Sequence, residues 1–225
     1  MAPYVYDENG RRVVAPSKGE MRERKILDEA EQQLAELGAD AMTVETIATA
    51  AGLTRGALYF YFRSKNDVLA ALVQRVTVEL RGAVATRRNA LPDSPHQALL
   101  SAIDLTRDLW DRHGAVMRAA VELSPTVPGI DHLWSDARDE TVRSVTAMLA
   151  DAVDEHGQDT SALVAALVGM TERVFYDASR SGTGLDQAAA IVTTIWTRTL
   201  GAPERVPERV PERAPGRAED PARSS

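Results

Sequence analysis

Four residues within a short stretch of the chain are suited to contacting nucleic acid: Thr54, Arg55, Gly56 and Tyr59. Arginine reads guanine edges, and threonine and tyrosine hydroxyls bond to base edges or phosphate oxygens. A glycine in the first turn of a helix costs about 1 kcal/mol relative to alanine. Its presence indicates that another molecule must approach the backbone there.

The elements that position these residues can be read from the flanking sequence. Val44, Ile47, Ala48 and Ala51 recur at helical spacing, and Gly52 follows them at a point suited to a sharp turn. Thr54 can then accept a backbone N–H as the N-cap of a second short helix. The pattern predicts a helix-turn-helix whose second helix presents its N-terminal residues outward.

The same stretch resembles the N-terminal domain of TetR-type transcriptional regulators. The motifs that carry the resemblance occur in the family order: Ile47-Ala48, Ala51-Gly52, Thr54, Leu58-Tyr59, Tyr61-Phe62 and Ser64-Lys65. The aromatic run from Tyr59 to Phe62 is similar to the actinobacterial subgroup of ethionamide-activation repressors. The resemblance implies phosphate contacts by Tyr59, Tyr61 and Lys65, with core packing as the alternative for each; the role of Phe60 stays open. The predicted DNA-binding residues are Thr43, Thr54, Arg55, Gly56, Ala57, Tyr59, Tyr61 and Lys65.

Large apolar side chains in the second half of the chain define a candidate ligand site. The three tryptophans fall on three different predicted helices, where they could enclose an apolar chamber or form a solid core. The family resemblance favours a chamber, because TetR-type regulators hold a ligand within this domain. We therefore expect a small hydrophobic or aromatic ligand and no cofactor. The predicted ligand-binding residues are Trp110, Met117, Trp134, Met148, Val168, Met170, Thr171, Glu172, Phe175 and Trp196.

The polar anchors of this chamber depart from the subgroup. The positions that resemble its two asparagine anchors are Val168 and Thr171 here. The ligand should therefore be less amide-like, or be held by Thr171 and Glu172. Glu172 stands next to Arg173, so a solvent-facing pair or a structural salt bridge is the alternative to a pocket role. A buried carboxylate without a partner would be costly.

Catalytic and metal-binding patterns are not evident. The four histidines are scattered, with no pair spaced by four residues, and the chain has no cysteine. No glycine-rich loop that would cradle phosphate occurs either. The sequence therefore predicts a protein that is not an enzyme and has no catalytic or metal-binding residues.

Charge and composition are compatible with a DNA-binding protein once they are divided by region. Residues 1–88 contain 13 Lys and Arg against 12 Asp and Glu, a net charge of +1, whereas residues 89–201 contain 8 against 16, a net charge of −8. The absence of cysteine suits a reducing compartment. No signal peptide or apolar stretch of eighteen residues is found, so we expect a cytoplasmic protein without a membrane partner.

The order of elements predicts an all-α protein with two domains. After a flexible arm at 1–19, a helix-turn-helix domain spans 20–66, and a linker helix at 64–88 leads to a ligand-binding and dimerisation domain at 89–201. In that second domain we expect helices from Ser94 to a break at Gly114, then at 115–123, 130–156, 159–180 and 185–200. The proline repeat at 202–225 predicts a disordered tail.

These observations predict a homodimeric, ligand-responsive transcriptional regulator that binds a double-stranded DNA operator, as a repressor. The last two helices would form the dimer, because their apolar residues occupy more than one face. The alternative is an all-helical small-molecule carrier or scaffold whose helix-turn-helix is incidental. Sequence-selective, salt-dependent DNA binding separates the two.

Overall fold

The computed structural model describes residues 4–6, 12–14, 17–89, 94–149, 160–182 and 184–200. Helices dominate these ranges, as predicted. The elements in chain order are β1 (Tyr4–Tyr6), β2 (Arg12–Val14), α1 (Lys18–Ala41), α2 (Val44–Ala50), α3 (Arg55–Tyr59), α4 (Lys65–Asn89), α5 (Pro95–Leu123), α6 (Pro128–Leu149), α7 (Thr160–Ser181) and α8 (Leu185–Thr199).

The N-terminal arm differs from the expectation of an entirely irregular segment. β1 and β2 pair antiparallel, with Tyr4 opposite Val14. α1 then begins at Lys18, two residues before the predicted domain boundary at residue 20, because Ser17 and Glu20 form a capping box. The Ser17 hydroxyl accepts the Glu20 N–H at 3.1 Å, and the Ser17 N–H donates to the Glu20 carboxylate at 2.6 Å. The Ser-x-x-Glu spacing is the sequence signal for this start.

The predicted helix-turn-helix is present and is defined by local caps. Thr43 caps α2, and the Thr54 hydroxyl accepts the Ala57 N–H at 3.2 Å to begin α3. Gly52 has a φ of 70°, a left-handed conformation that glycine adopts without steric cost. Ile26, Ile47 and Leu58 are fully buried between α1, α2 and α3. These contacts fix the orientation of α3 relative to the rest of the domain.

α4 connects the helix-turn-helix to the remaining helices. The Asp67 N–H donates to the Ser64 hydroxyl at 3.1 Å, which confirms the predicted helix start at Ser64-Lys65. The 25 residues of α4 span about 37 Å. α4 packs against α1 at its beginning and against α5 and α6 further on. One helix therefore contacts both regions of the molecule.

The break predicted at Gly114 appears as a kink at the preceding residue, and α5 spans the helical segments on both sides of it. His113 alone departs from helical geometry, with φ −123° and ψ 24°. A Cβ atom on Gly114 would lie 2.9 Å from the Ser179 hydroxyl, so glycine permits the close approach of α7 at the bend. Packing against α7 thus holds together two segments that the sequence pattern separates.

The bundle of the second region consists of α4, α5, α6, α7 and α8. α6 extends two residues earlier than predicted, and the predicted continuation to 156 lies outside the described residues. α7 and α8 match the predicted helices within one residue at each end. The 202–225 tail also lies outside the described residues. Among the helices that are described, none is long and apolar enough to cross a membrane.

Candidate DNA-binding surface and ligand cavity

The exposed face of α3 brings together most of the predicted DNA-binding residues. Thr54, Arg55 and Gly56 are exposed at its first turn, and Ala57 is half-buried beside them. The Arg55 Nη2 donates to the Tyr59 hydroxyl at 3.0 Å, and the guanidinium lies 5.5 Å from the centre of the Tyr59 ring. This contact between residues four apart holds a cation on the outer face of the helix.

The remaining predicted DNA-binding residues have structural contacts of their own. Thr43 is exposed at the start of α2, where its hydroxyl accepts the Thr46 N–H at 3.1 Å. Tyr61 is half-buried, packs against the core, and meets Phe60 edge to face at 5.4 Å. The Lys65 Nζ donates to the Ala39 carbonyl at 2.8 Å and is partly buried. Lys65 therefore ties the beginning of α4 to the end of α1 in addition to any outside contact.

Two further residues lie near this surface without having been predicted to belong to it. Phe60 is 85% exposed at the end of α3, although a phenylalanine is ordinarily buried. The Lys25 ammonium lies 3.8 Å from the point where a Cβ would stand if Gly52 were replaced by a larger residue. A second cation is therefore beside the turn before α3. The distance along the chain from Lys25 to Gly52 explains why sequence spacing gave no signal for this contact.

Gly56 has no structural requirement within the chain. A Cβ added to it would meet no heavy atom within 4 Å, and its φ is not in the left-handed region. Alanine would therefore fit the folded protein and favour the helix. Packing within the chain therefore does not require glycine at this position.

A cavity of about 130 Å³ lies within the bundle of α4 to α8. Its wall is predominantly apolar, and all three tryptophans contribute to it. The lining residues are Val76, Thr77, Leu80, Leu99, Ala102, Ile103, Thr106, Leu109, Trp110, Met117, Trp134, Ala137, Arg138, Thr141, Val145, Val168, Thr171, Glu172 and Trp196. An apolar cavity of about 150 Å³ is large enough to hold benzene, so this one has room for a small aromatic ring.

The cavity includes seven of the ten residues predicted for the ligand site: Trp110, Met117, Trp134, Val168, Thr171, Glu172 and Trp196. The other three do not line it. Phe175 is fully buried behind the wall, with its ring stacked on Trp110 at 6.4 Å. Met148 and Met170 are half-buried side chains that pack against the core elsewhere. Large apolar side chains at helical spacing predict residues that are buried. They do not predict which of these residues face a cavity and which face close-packed core.

Sequence reasoning missed two walls of the cavity. Val76, Thr77 and Leu80 come from α4, the helix predicted only as a linker, and α6 contributes four residues besides the predicted Trp134. The apolar stripe of α4 was evident, but its partner helices were not. Only the packing of α4 against α5 and α6 shows that the second half of this stripe faces a cavity.

The charged groups of the cavity wall are Glu172 and Arg138. The Trp134 indole N–H donates to Glu172 Oε2 at 3.0 Å, and an Arg138 Nη1 lies 3.8 Å from the same oxygen. Burial raises the pKa of the Glu172 carboxyl, and Arg138 and Trp134 oppose this increase. The neighbouring Arg173 pairs instead with Asp177 at 2.8 Å on the exposed side of α7. Glu172 therefore faces inward.

Charged residues also meet where α1, α4 and α5 adjoin at the bend in α5. His113 Nδ1 lies 2.6 Å from Glu31 of α1, and its Nε2 lies 3.1 Å from Glu79 of α4. Arg75 of α4 pairs with Glu31, and Arg112 of α5 pairs with Glu79. The hydrogen bond to Glu31 raises the pKa of His113, burial opposes the increase, and the charges of both carboxylates add to it.

Comparison with known proteins identifies the chain. Residues 26–72 match the bacterial regulatory proteins of the tetR family. The regulator EthR of Mycobacterium tuberculosis is 31% identical over 173 residues, which cover 74% of this chain and 79% of that protein. This chain belongs to the TetR family. EthR of Mycolicibacterium smegmatis is 28% identical over 199 residues, covering 85% of this chain and 91% of that protein, so the chain lies near the EthR subgroup.

Solved structures agree on the fold. SmeT, described as the repressor of a Stenotrophomonas maltophilia efflux pump, has also been solved as a complex with triclosan. That complex superposes with a TM-score of 0.62 over 85% of this chain and 100% of SmeT, at 22% identity. As a TetR-family member, the chain is a DNA-binding transcriptional regulator. Within the described residues, no three His, Asp or Glu side chains are grouped so that they could hold a metal ion.

Proposed function

We propose that the protein is a homodimeric repressor that binds a double-stranded operator through α3 and releases it when a small hydrophobic molecule fills the cavity. The observation that carries the proposal is the path of α4. Lys65 at its start is bonded to α1 beside the recognition surface, and Val76, Thr77 and Leu80 line the cavity. A ligand in the cavity thus touches the helix that holds the DNA-binding unit.

The recognition surface supports DNA binding through its charges and its shape. Arg55 presents a guanidinium for a base edge, and Lys25 and Lys65 flank it as cations for phosphates. Gly56 leaves open space for close approach of a phosphate or base. Because bacterial operators are chromosomal, the proposed activity belongs in the cytoplasm.

Release by a ligand requires differential binding to two arrangements of the dimer. A ligand with equal affinity for the DNA-bound and DNA-free arrangements shifts nothing. A tenfold loss of operator affinity needs about 1.4 kcal/mol of differential binding. Movement of α4 is the proposed route, since it would change the separation of the two recognition helices in the dimer.

The proposed dimer face is formed by α7 and α8. Ile191 and Ile195 of α8 are 45% and 37% exposed, and Ala165, Ala166 and Gly169 are exposed on α7. Other apolar residues of these two helices, Leu167, Val192 and Trp196, are buried within the protomer. The exposed apolar residues would be covered when a second copy packs in a two-fold four-helix arrangement.

The DNA-binding part is tested by selecting sequences from a random duplex library with the full chain and then measuring affinities for the selected duplex. Arg55→Ala should weaken binding by about 1–3 kcal/mol and relax the preference at one base position. Lys65→Ala should weaken binding to selected and random duplexes alike, and should reduce the dependence on salt. Failure to enrich any sequence would instead favour a helical carrier or scaffold.

The dimer is tested by sedimentation at micromolar concentration. Ile195→Asp should produce monomers, because it would bury an unpaired charge at the face. Val78→Asp is a matched control, since Val78 is 54% exposed on α4 and outside the α7 and α8 face. A monomeric parent protein, or equal behaviour of the two variants, would contradict the proposed dimer.

A further inference from the structure

The hydrogen-bonding groups on the cavity wall are mostly acceptors. Four threonines line the cavity, and each hydroxyl donates its hydrogen to a carbonyl of its own helix: Thr77 to Gln74, Thr106 to Ala102, Thr141 to Ala137 and Thr171 to Leu167, all at 2.8–2.9 Å. A hydroxyl has one hydrogen and two lone pairs, so these oxygens offer only lone pairs to a ligand. Acceptors are therefore contributed by four helices, α4, α5, α6 and α7.

The indole donors of the wall are largely engaged as well. The Trp196 Nε1 donates to Thr171 Oγ1 at 2.8 Å, and the Trp134 Nε1 donates to Glu172 Oε2 at 3.0 Å. The N–H groups that remain belong to Trp110 and Arg138. A ligand that carries only acceptors would find few partners on this wall.

Glu172 is the strongest acceptor of the set, and its position is constrained. Both described contacts of its carboxylate, with Trp134 and Arg138, are made by Oε2. Oε1 has no hydrogen-bond partner among the described residues. The side chain is 19% exposed, and desolvation of a carboxylate is costly unless it is paired.

Arg138 does not satisfy this carboxylate fully. Its Nη1 is 3.8 Å from Oε2, beyond hydrogen-bond distance, while Nη2 donates to the Ser135 hydroxyl at 3.3 Å. The Arg138 side chain is 42% exposed, so its long stem can carry the guanidinium toward water when another cation approaches Glu172. The Glu172 side chain is less exposed than that of Arg138.

We infer that the cavity takes an amphipathic amine, a molecule with an apolar or aromatic body and a protonated nitrogen that donates to Glu172 and to the threonine oxygens. This inference rests on the proposed ligand-responsive function and names the ligand class for the same site. The apolar walls of α4 and α5 hold the body. The carboxylate of α7 fixes its orientation by a charge-assisted hydrogen bond.

Four probes of matched shape test the inference by titration calorimetry on the full chain at pH 7: 4-phenylbutylamine, 4-phenylbutan-1-ol, 4-phenylbutanoate and butylbenzene. The amine should bind most tightly and the carboxylate most weakly. Glu172→Gln should weaken amine binding about tenfold or more and change butylbenzene binding less than about twofold, because only the amine loses a charged partner. Glu140→Gln, at a carboxylate on α6 that pairs with Arg81 outside the cavity, should change neither.

The outcomes separate this inference from the function on which it rests. If butylbenzene binds and the amine binds no more tightly than the alcohol, the amine inference is overturned and the hydrophobic pocket stands. Tighter binding of 4-phenylbutanoate, lost on Arg138→Gln, would overturn it in favour of an anionic ligand. If no probe binds a protein that unfolds cooperatively and binds its selected duplex, both the amine inference and the ligand-responsive function fail.

Discussion

The two halves of α4 lie in differently built surroundings. In the first half, Val68, Leu69 and Leu72 are at most 2% exposed and pack in the core shared with α1 and the helix-turn-helix. In the second half, Val76, Thr77 and Leu80 face a cavity of about 130 Å³. Close-packed interiors transmit displacements, whereas a cavity leaves room for rearrangement. The same helix is therefore close-packed near the DNA-binding surface and borders open space where a ligand would bind.

The empty space beside the second half of α4 lowers the stability of the fold. At about 24 cal/mol per Å³, an empty space of this size corresponds to about 3 kcal/mol of stability that better packing would provide. A ligand that fills the space can recover part of this amount. Only the part that differs between the DNA-bound and DNA-free arrangements counts toward the 1.4 kcal/mol or so needed for a tenfold change in operator affinity.

The largest expected effect comes from truncating a side chain in the close-packed core around the helix-turn-helix. Leu58→Ala should lower the free energy of unfolding by about 2–5 kcal/mol, since Leu58 is fully buried in the core of the helix-turn-helix. Leu99→Ala removes the same atoms from a side chain that is also buried, at 3% exposure, but that borders the cavity. Because fewer contacts are lost there, the free energy of unfolding should fall by less. Denaturant unfolding of the two variants measures the difference. Equal costs would contradict the contrast between packed and hollow surroundings.

The next effect separates stability from DNA binding on the recognition surface. Gly56→Ala should leave the fold intact or stabilise it by up to about 1 kcal/mol, because a methyl group there meets nothing. Affinity for the selected duplex should nevertheless fall more than about tenfold, or about 1.4 kcal/mol, if DNA approaches the backbone at this point.

Gly82→Ala is the matched control for this glycine. Gly82 is also exposed in a helix with no atom within 4 Å of an added Cβ, but it lies on α4 away from α3. It should raise stability without changing DNA affinity, as measured by fluorescence anisotropy of a labelled duplex. Normal DNA binding by Gly56→Ala would show that the glycine does not mark a contact.

A smaller effect is expected from filling the cavity. Val168→Trp should introduce a ring into the space among α4, α5 and α7 and either block ligand or mimic it. DNA binding would then be unresponsive to ligand, or weaker by about tenfold at all times. Gln97→Trp adds the same ring at an exposed position of α5 and should do neither. Unchanged ligand binding by Val168→Trp, followed by calorimetry, would remove the cavity from the proposed mechanism.

These tests also mark how far the sequence alone could lead. Thr54, Gly52 and Ser64 act on neighbours within a few residues, so their caps and turn were predicted from local spacing. The close approach of α7 to α5 at Gly114 involves Ser179, which is 65 positions away and gives no local signal. Similarly, Thr77 and Arg138 reach the cavity only through the packing of α4 and α6. Phe175 was assigned to the cavity by residue type, although its ring is stacked behind Trp110.

The smallest expected effect is a pH dependence at the junction of the two regions. Both ring nitrogens of His113 face carboxylates, Glu31 and Glu79, so the protonated imidazole is favoured and its pKa is raised in the folded state. Protonation of His113 therefore stabilises the folded protein. This stabilisation is fully present below pH 6.5, the ordinary pKa of histidine, and is lost as the pH rises through the higher pKa of His113 in the folded state. Burial raises the pKa of Glu31 and of Glu79, but their bonds to His113 and to arginines lower both overall. The two ionised carboxylates therefore stabilise the folded protein above about pH 4.5, and this stabilisation is lost in more acidic solution.

Stability should accordingly be greatest between about pH 5 and pH 6.5 and should decline above that range. His113→Gln should remove the decline above pH 6.5 and cost about 1 kcal/mol at pH 6, the net size of one hydrogen bond. Thermal unfolding over this pH range provides the measurement. His132→Gln is a control, since His132 is 79% exposed on its side chain and lies on α6. A decline that survives in His113→Gln would assign the pH dependence to other groups.

The location of the tryptophans allows ligand binding to be followed by intrinsic fluorescence. The chain contains three tryptophans, and all three line the cavity. Indole emission responds to the polarity and the quenching groups around the ring, so nearly all of the intrinsic fluorescence arises from the place where a ligand would bind. Entry of an aromatic amine should change the emission of Trp134 and Trp196, whose N–H groups bond to Glu172 and Thr171. Binding at this site can therefore be followed without a label, in the same sample in which DNA is being released.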